Sequence, residues 1–144
     1  MIFLTKPKDF NPKFDIVSCF CEANGKILLL HRNKSRPQGL TWGVPAGKVE
    51  DSEDIATAIK REIFEETGIK INEKNLKYFG KVFVRYPEYD FVYHIFHIKF
   101  PREPKVTINS NEHIDFKWVT PEEALKLPLI RDLEKCIELV YKIP

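Results

Sequence analysis

The chain has 144 residues, of which 43% are hydrophobic and 31% are charged. This balance predicts one globular domain over residues 1–144 and excludes a disordered chain, because a domain of this size buries enough apolar surface to fold without disulfides or a structural metal. The 23 basic and 21 acidic residues leave a formal net charge of +2, which is too small to indicate nucleic-acid binding.

The first third of the chain predicts a β-hairpin followed by a loop and a short strand. Residues 14–22 alternate in polarity and are rich in β-forming side chains, and residues 26–31 form a largely apolar run. Asn24-Gly25 between them is a typical hairpin turn, because both residues tolerate positive φ angles. A polar loop over 32–41 then leads to a short strand over 42–45.

A helix over residues 51–67 is predicted next. Asp51 or Ser52 is expected to cap its N-terminus, and Gly68 is expected to supply the left-handed residue that ends it. The apolar residues of this stretch recur at helical spacing, so one face of the helix should pack on a sheet.

The second half of the chain predicts long strands followed by two helices. A turn-like tetrapeptide, Pro87-Glu88-Tyr89-Asp90, joins the two longest strands, and Thr120 and Glu123 form a capping box. The predicted elements are strands 76–86, 91–100 and 114–119, a short helix from 121 and a final amphipathic helix over 129–141. This order predicts an α/β domain, a mixed sheet with helices on both faces.

The three cysteines, Cys19, Cys21 and Cys136, cannot all pair and indicate a reducing compartment. Cys19 and Cys21 share one face of a strand and are interpreted as small buried apolar residues, since a zinc site needs more ligands. No apolar run reaches the length of about 18 residues that a membrane span needs. We therefore expect no membrane partner and, by default, a cytoplasmic location.

Three carboxylates lie in one short stretch of the predicted helix. Glu62, Glu65 and Glu66 are separated by helical spacings, so they project from one helix face. Repulsion costs a few tenths of a kcal/mol per neighbouring pair even in water, and a hard divalent cation such as Mg²⁺ or Mn²⁺ would remove it. From these three residues alone, the alternative is a solvated acidic face with Arg61 as its nearby neutralising residue.

The residues around this patch complete a longer pattern. Gly47 is followed by five residues, Glu53, seven residues and then Arg61-Glu62-Ile63-x-Glu65-Glu66-x-Gly68-Ile69. At every specified position this pattern is similar to the signature of the Nudix hydrolases. Ala46 stands where many relatives carry a second glycine. The resemblance implies a Nudix-type α/β/α sandwich around a mixed β-sheet over nearly the whole chain.

The resemblance also implies a metal site. Glu62, Glu65 and Glu66 would hold one or more Mg²⁺ ions, for which Mn²⁺ is a possible substitute, with the carbonyl of Gly47 and the late acidic residue Glu112 as further ligands. Mg²⁺ takes six oxygen ligands, so these donors leave positions for water and a phosphate. Glu62 and Glu112 are both candidates for the general base, and a solvated turn residue is the alternative for Glu112.

The remaining candidate residues are assigned to structural support or to the substrate. Glu53 is expected to tie the loop to the helix, and Arg61 is expected to pair with a carboxylate and fix its rotamer. Direct phosphate contact is the alternative for Arg61. The expected substrate contacts are Arg32, Lys48, Tyr86 and Arg131. A surface charge is the alternative for Arg32, and a core aromatic is the alternative for Tyr86. The histidines form no recognisable ligand spacing and are interpreted as structural or solvated; they are His31, His94, His97 and His113.

The implied activity is Mg²⁺-dependent hydrolysis of a pyrophosphate bond in a nucleoside diphosphate linked to a group X. The leading hypothesis is a nucleoside triphosphate, oxidised or unmodified, cleaved to monophosphate and pyrophosphate. A dinucleoside polyphosphate or an ADP-ribose-type molecule is the alternative substrate. A hypothesis of another class is a non-catalytic Nudix-fold module that binds a nucleotide. The expected partner is thus a small nucleotide, and the protein is expected to be a monomer or a homodimer.

Overall fold

One mixed β-sheet carries the fold of the computed structural model, which describes residues 1–144. The strands are β1 (Ile2–Phe3), β2 (Pro12–Ala23), β3 (Lys26–Arg32), β4 (Trp42–Gly43), β5 (Ala46–Lys48), β6 (Leu76–Arg85), β7 (Asp90–Phe100) and β8 (His113–Val119). The helices are α1 (Ile55–Thr67), α2 (Pro121–Ala124) and α3 (Leu133–Tyr141), with a 3₁₀ turn at Glu73–Asn75. No helix is long and apolar enough to cross a membrane.

The strand order β1-β6-β7-β2-β3-β4 divides the sheet into two arms. β2 and β7 form the parallel pair at its centre, while the other strand pairs are antiparallel. β2 and β3 pair only beside their hairpin turn, at Glu22↔Ile27 and Ala23↔Lys26. They then separate, because β2 continues along β5 and β3 continues along β4 and β8. The separating ends leave room for a cavity between the two arms.

Helices cover both faces of this sheet. Side chains alternate along β2, so Cys19 and Cys21 pack with Ile63 of α1, whereas Phe20 packs with Ile137 of α3 on the other face. All five side chains are fully buried. The predicted α/β/α sandwich and the predicted burial of the two cysteines are therefore confirmed.

The predicted start of the long helix is wrong. α1 begins at Ile55, and its cap is Asp54, whose Oδ1 accepts a hydrogen bond from the backbone N–H of Thr57 at 2.8 Å. Ser52 has a φ of 64°, which a right-handed helix excludes, so the helix does not include it. Asp51 and Ser52 both lie before the observed cap. The predicted end is confirmed, since Gly68 is left-handed with a φ of 73°.

The last helix also starts later than predicted, at Leu133 rather than at 129. The N–H of Ile130 donates to the carbonyl of Trp42 at 2.9 Å, and the N–H of Trp42 donates to the carbonyl of Pro128 at 2.8 Å. These bonds attach the preceding segment to β4. Asp132 then adopts a left-handed φ of 68°, so a helix cannot form before it.

The short strand predicted over 42–45 is in fact two strands, β4 and β5, with Val44 and Pro45 between them. Pro45 breaks the strand because it has no N–H to donate, while its carbonyl accepts a bond from the N–H of Cys19 at 3.0 Å. This break turns the chain from the edge of β3 to the edge of β2, and it brings Gly47 to the cavity.

The turn between β6 and β7 is held by an ion pair. Arg85 donates two hydrogen bonds to the carboxylate of Asp90, at 2.8 and 3.0 Å, and the N–H of Asn11 donates a third at 2.9 Å. These bonds lower the pKa of Asp90 to about 2, chiefly through Arg85. The turn carries Tyr86 and Tyr89, which line the cavity.

Asp90→Asn should destabilise the protein at neutral pH and have less effect in acid. A carboxyl whose pKa is lowered by folding stabilises the fold above its unfolded pKa, and this contribution is lost as the pH falls through the folded value. The difference in unfolding free energy from wild type should therefore shrink between pH 3.8 and about 2. Urea denaturation of the wild type, Asp90→Asn and the exposed control Asp51→Asn measures it, and a pH-independent difference would contradict the assignment.

Candidate active site

A cavity of about 530 Å³ lies between the two arms of the sheet. Strands of both arms, one face of α1 and the loops after β3 and before β8 contribute its walls. All the predicted metal ligands and substrate contacts line it: Gly47, Glu62, Glu65, Glu66, Glu112, Arg32, Lys48, Tyr86 and Arg131. Glu53 and Arg61 lie outside its lining.

The three glutamates of α1 differ in their exposure. Glu65 is half exposed and Glu62 is mostly buried, whereas Glu66 is 4% exposed. Burial raises the pKa of Glu66, and the neighbouring carboxyls of Glu62 and Glu112 raise it further. The N–H of Ala46 donates one long bond to Glu66, at 3.3 Å. A solvated acidic face is thus excluded for Glu66, since its carboxyl is buried among like charges.

Arg61 connects the helix to the loop and to β5. Its Nε and Nη2 donate to the carboxylate of Glu53 at 2.8 and 2.9 Å, and Nη2 also donates to the carbonyl of Lys48 at 3.1 Å. The carboxylate of Glu53 in turn accepts the N–H of Glu50 at 3.0 Å. Arg61 and this N–H lower the pKa of Glu53 to about 2. The Arg61–Glu53 ion pair therefore stays charged at neutral pH and fixes the loop before α1 to the helix.

Gly47 allows the carboxylate of Glu62 to lie against the backbone of β5. A Cβ atom built on Gly47 would overlap all three atoms of that carboxyl group. Any other residue would therefore displace Glu62. Ala46, the departure from the common family pattern, keeps its backbone N–H available to Glu66.

The donor set suits a hard divalent cation. The carboxyls of Glu62 and Glu112 neighbour that of Glu66, which receives one long hydrogen bond, and Gly47 lines the same cavity. Mg²⁺ prefers such carboxylate and carbonyl oxygens as ligands. No three acidic, His or Cys side chains are already arranged as a set of metal ligands. Arg61 pairs with Glu62 at 2.7 Å and contacts Glu65 at 3.4 Å. The residues therefore fit Mg²⁺, which would displace Arg61 from Glu62 and Glu65 on binding.

Aromatic side chains form another part of the wall. Tyr86 contacts Phe91 edge-on, with ring centroids 5.0 Å apart, and Tyr89 lies beside both. The guanidinium of Arg131 lies 4.0 Å from the ring centroid of Tyr86, and its Nη2 donates to Glu88 at 3.1 Å. A planar base could stack in this region, because aromatic faces bind bases with little sequence preference.

Several polar residues of the cavity were not assigned to the site from the sequence, among them Arg36, Gln38 and His113. Arg36 and Gln38 come from the loop after β3, and His113 comes from the start of β8. Gln38 accepts the backbone N–H of Arg131 through Oε1 at 2.7 Å. The polar loop contains several basic residues, but nothing in the sequence distinguishes Arg36, which lines the cavity, from Lys34, which does not.

The interpretation of the histidines as structural or solvated holds for three of the four. His94 bonds Asp15 and Tyr78, and His97 bonds Glu22, while His31 stacks on Trp42. None of these three lines the cavity. His113 differs, since it is 5% exposed, lines the cavity and has an Nδ1 atom without a hydrogen-bond partner.

The chain resembles known proteins over most of its length. A family model, that of the NUDIX domain, matches residues 12–140. The CTP pyrophosphohydrolase of Escherichia coli (strain K12) is 33% identical over 80% of this chain and 82% of its own length. The NAD-capped RNA hydrolase NudC of Haemophilus influenzae (strain PittGG) is 32% identical over 69% of this chain, but the match spans only 36% of that relative.

The fold has close counterparts among solved structures. The MutT protein from Methanosarcina mazei Go1 superposes with a TM-score of 0.79 and 26% sequence identity, covering 92% of this chain and 95% of that one. Sequence and structure thus agree on the same family over nearly the full domain. This chain belongs to the Nudix family and is a pyrophosphohydrolase.

Proposed function

We propose that this enzyme hydrolyses a nucleoside triphosphate to the monophosphate and pyrophosphate, using Mg²⁺ or, as a substitute, Mn²⁺. The observation that carries the proposal is the composition of one cavity, in which the carboxylates of α1 lie with unpaired basic side chains and an aromatic cluster. A relative of similar length, named a CTP pyrophosphohydrolase, supports a triphosphate substrate. CTP is therefore the first nucleotide to test.

In this proposal the metal ligands are Glu62, Glu65, Glu66, Glu112 and the carbonyl of Gly47. When bound there, a divalent cation would supply positive charge to the phosphoryl oxygens and to the attacking water. Arg61 acts as a positioning residue, because its bonds to Glu53 and to the Lys48 carbonyl keep it beside Glu62. Glu53 is its anchor and does not contact the substrate.

The basic and aromatic residues that line the cavity are the proposed contacts for the substrate. Arg32 and Lys48 would bind phosphate oxygens, since neither forms an ion pair with a carboxylate. The Nζ of Lys48 lies over the ring of Phe14, 4.2 Å from the ring centroid. Tyr86 and Arg131 would contact the base.

The hydrolytic step consumes one water molecule. Its oxygen bonds to the α- or the β-phosphorus, the bond from that phosphorus to the bridging oxygen breaks, and the group that keeps the bridging oxygen leaves with the bonding electron pair. The products are the monophosphate and pyrophosphate in either case. A carboxylate must accept the proton of the water. Glu62 and Glu112 remain the candidates, and the contacts favour Glu112, because its side chain makes no hydrogen bond whereas Arg61 engages Glu62.

The test is a panel of nucleotides with product identification. CTP, other nucleoside triphosphates, an oxidised triphosphate, a dinucleoside polyphosphate and ADP-ribose are incubated with the enzyme, and products are separated by chromatography. We expect monophosphate and pyrophosphate from a triphosphate. Preferred cleavage of the dinucleotide or ADP-ribose would replace the proposed substrate, and tight binding of one nucleotide without turnover on any would indicate a binding module.

Turnover should require a divalent cation and should be much slower with Ca²⁺ than with Mg²⁺. Ca²⁺ prefers six to eight ligands at about 2.3–2.6 Å, whereas Mg²⁺ holds six at about 2.0–2.1 Å, so Ca²⁺ would loosen the alignment of water and phosphorus. Initial rates in excess chelator and after addition of each metal measure this requirement. Undiminished turnover in excess chelator would refute the metal-dependent mechanism.

A further inference from the structure

The loop between β3 and β4 reaches the aromatic cluster of the cavity through the side chain of Gln38. The Oε1 atom of Gln38 accepts the backbone N–H of Arg131 at 2.7 Å. Burial raises the pKa of Tyr86, and the side chain of Gln38 partly opposes this rise, so the Gln38 amide and the Tyr86 phenol are neighbours. Gln38 therefore joins the loop to the two residues that the proposed function assigns to the base.

The backbone of Arg131 is held by two side chains from distant parts of the chain. Its N–H donates to Gln38, and its carbonyl accepts the hydroxyl of Tyr86 at 3.3 Å. The guanidinium of Arg131 also lies over the Tyr86 ring, 4.0 Å from the centroid. Since the three residues belong to a loop, to the end of β6 and to the segment before α3, Gln38 fixes how these segments meet at the cavity.

The backbone of the loop adopts an uncommon conformation at Gln38. Gln38 and Leu40 have φ angles of 54° and 64°, in the left-handed region that residues other than glycine seldom adopt. A Cβ on Gly39 would lie 2.6 Å from the carbonyl oxygen of Lys34, so the glycine lets the loop pack on itself. The hydroxyl of Thr41 donates to the carbonyl of Gln38 at 2.6 Å. Such strained conformations persist where the surrounding structure fixes them, and they cluster at functional sites.

The hydrogen bond from Arg131 also fixes the orientation of the Gln38 amide. A backbone N–H can donate only to the oxygen of a carboxamide, so this bond identifies Oε1 and leaves Nε2 as the other branch. Nε2 carries two N–H donors, and the phenol oxygen of Tyr86 can accept at most one of them. Because Gln38 lines the cavity, at least one N–H remains for a group that binds there.

The surroundings of this N–H suit a nucleobase. Tyr86 packs with Tyr89 and Phe91, and bases stack on aromatic faces. The N–H groups of a carboxamide pair with acceptor atoms on the edges of bases. Phosphate groups, in contrast, are bound most strongly by charged donors, and Gln38 is uncharged.

We propose that Gln38 is a specificity-determining residue: its Oε1 atom positions Arg131, and its Nε2 atom donates a hydrogen bond to a ring nitrogen or carbonyl oxygen of the bound base. This inference rests on the proposed hydrolysis of a nucleoside triphosphate and names a residue that reads its base. Cytosine presents both kinds of acceptor, so CTP is the probe. The role falls to a residue outside the signature pattern of 47–69.

The test compares two variants of Gln38 with the wild type. Gln38→Met keeps the length of the side chain and removes its acceptor and its donors, whereas Gln38→Glu keeps an acceptor for the N–H of Arg131 and removes only the donors. The matched control is Asn75→Asp, the same change from amide to acid at an exposed residue outside the cavity. Calorimetry in metal-free buffer measures the binding of CTP and of inorganic triphosphate, which has no base. kcat and KM for CTP are measured with Mg²⁺.

Gln38→Met should weaken CTP binding by about 5- to 20-fold, the scale of a lost hydrogen bond to a base, and should bind inorganic triphosphate as the wild type does. KM for CTP should rise while kcat stays within about threefold, because the contact is equal in the ground and transition states. The added charge of Gln38→Glu acts on both ligands, so its effect is the change in the ratio of their dissociation constants, which should also be about 5- to 20-fold. Asn75→Asp should match the wild type.

Thermal melting separates the two roles of Gln38. Gln38→Met should melt about 2–5 °C below the wild type, since the N–H of Arg131 loses its acceptor. Gln38→Glu keeps that acceptor and should melt near the wild type. A melting temperature of Gln38→Met equal to that of the wild type would contradict the positioning of Arg131.

The outcomes separate this inference from the proposed function. An unchanged ratio in Gln38→Glu would overturn the base contact, as would equal losses of CTP and inorganic triphosphate in Gln38→Met, or a wild type that binds CTP no better than inorganic triphosphate. In each case the enzyme could still hydrolyse triphosphates. Gln38-dependent binding of CTP by an enzyme that cleaves no triphosphate would instead overturn the proposed function and support the base contact.

Discussion

Glu66→Gln should lower the rate of pyrophosphate-bond hydrolysis by about 10²–10⁴, the scale of losing a key catalytic group, while stabilising the metal-free protein. The carboxyl of Glu66 is buried beside those of Glu62 and Glu112 and receives only one long hydrogen bond. Gln keeps the shape and an acceptor oxygen but removes the charge. The free energy of unfolding should rise by about 0.5–2 kcal/mol at neutral pH.

The sign of the pH dependence follows from the raised pKa of Glu66. A carboxyl whose pKa is raised by folding stabilises the fold below its unfolded value, and this contribution is lost as the pH rises through the folded value. Gln does not titrate. The stability advantage of Glu66→Gln over the wild type should therefore be smallest near pH 4.5 and should grow as the pH rises.

Chemical denaturation across this pH range, combined with Mg²⁺-dependent turnover, measures both effects. Added Mg²⁺ should raise the melting temperature of the wild type more than that of Glu66→Gln, since a ligand stabilises only the state that binds it. Glu73→Gln is the control, because Glu73 is exposed and forms no ion pair. Near-wild-type turnover of Glu66→Gln at limiting Mg²⁺ would contradict the assignment of Glu66 as a metal ligand. A large loss of stability would show instead that Glu66 is structural.

Gly47→Ala should reduce kcat/KM by about 10²-fold or more with little change in stability. The new Cβ would overlap the carboxyl group of Glu62, which is the end of a flexible side chain and can move aside. The fold therefore tolerates the methyl group, whereas the carboxylate is displaced from its place against β5. A misplacement of about 1 Å can cost about 10²-fold in rate.

Turnover and thermal melting of Gly47→Ala, compared with Gly43→Ala, test this explanation. A Cβ on Gly43 would make an ordinary contact of 3.5 Å with Ile130, so this control should remain near wild type in both measurements. Unchanged activity of Gly47→Ala would show that the position of the Glu62 carboxylate does not matter for the reaction. A cooperative loss of folding would show instead that the glycine is needed by the backbone.

Local features of the chain were predictable because short-range geometry determines them. Asn24 and Gly25 form the predicted hairpin turn with positive φ angles of 53° and 74°, and Thr120 and Glu123 form the predicted capping box. The start of α1 was missed for the opposite reason, since several acidic and polar residues compete as caps there. Asp54 forms the cap because Ser52 is left-handed and Glu53 is engaged by Arg61.

The sequence by itself determined the family, the sandwich fold and the acidic helix face, because the signature of 47–69 is continuous and helical spacing alone aligns Glu62 with Glu66. Only the tertiary structure decided which residues join them. Glu112 and His113 reach the cavity because β8 pairs with β3, and Arg36 reaches it because a loop folds back from that strand. The approach of Glu112 and His113 depends on pairing between residues some eighty positions apart, whereas helical spacing aligns side chains only within one element.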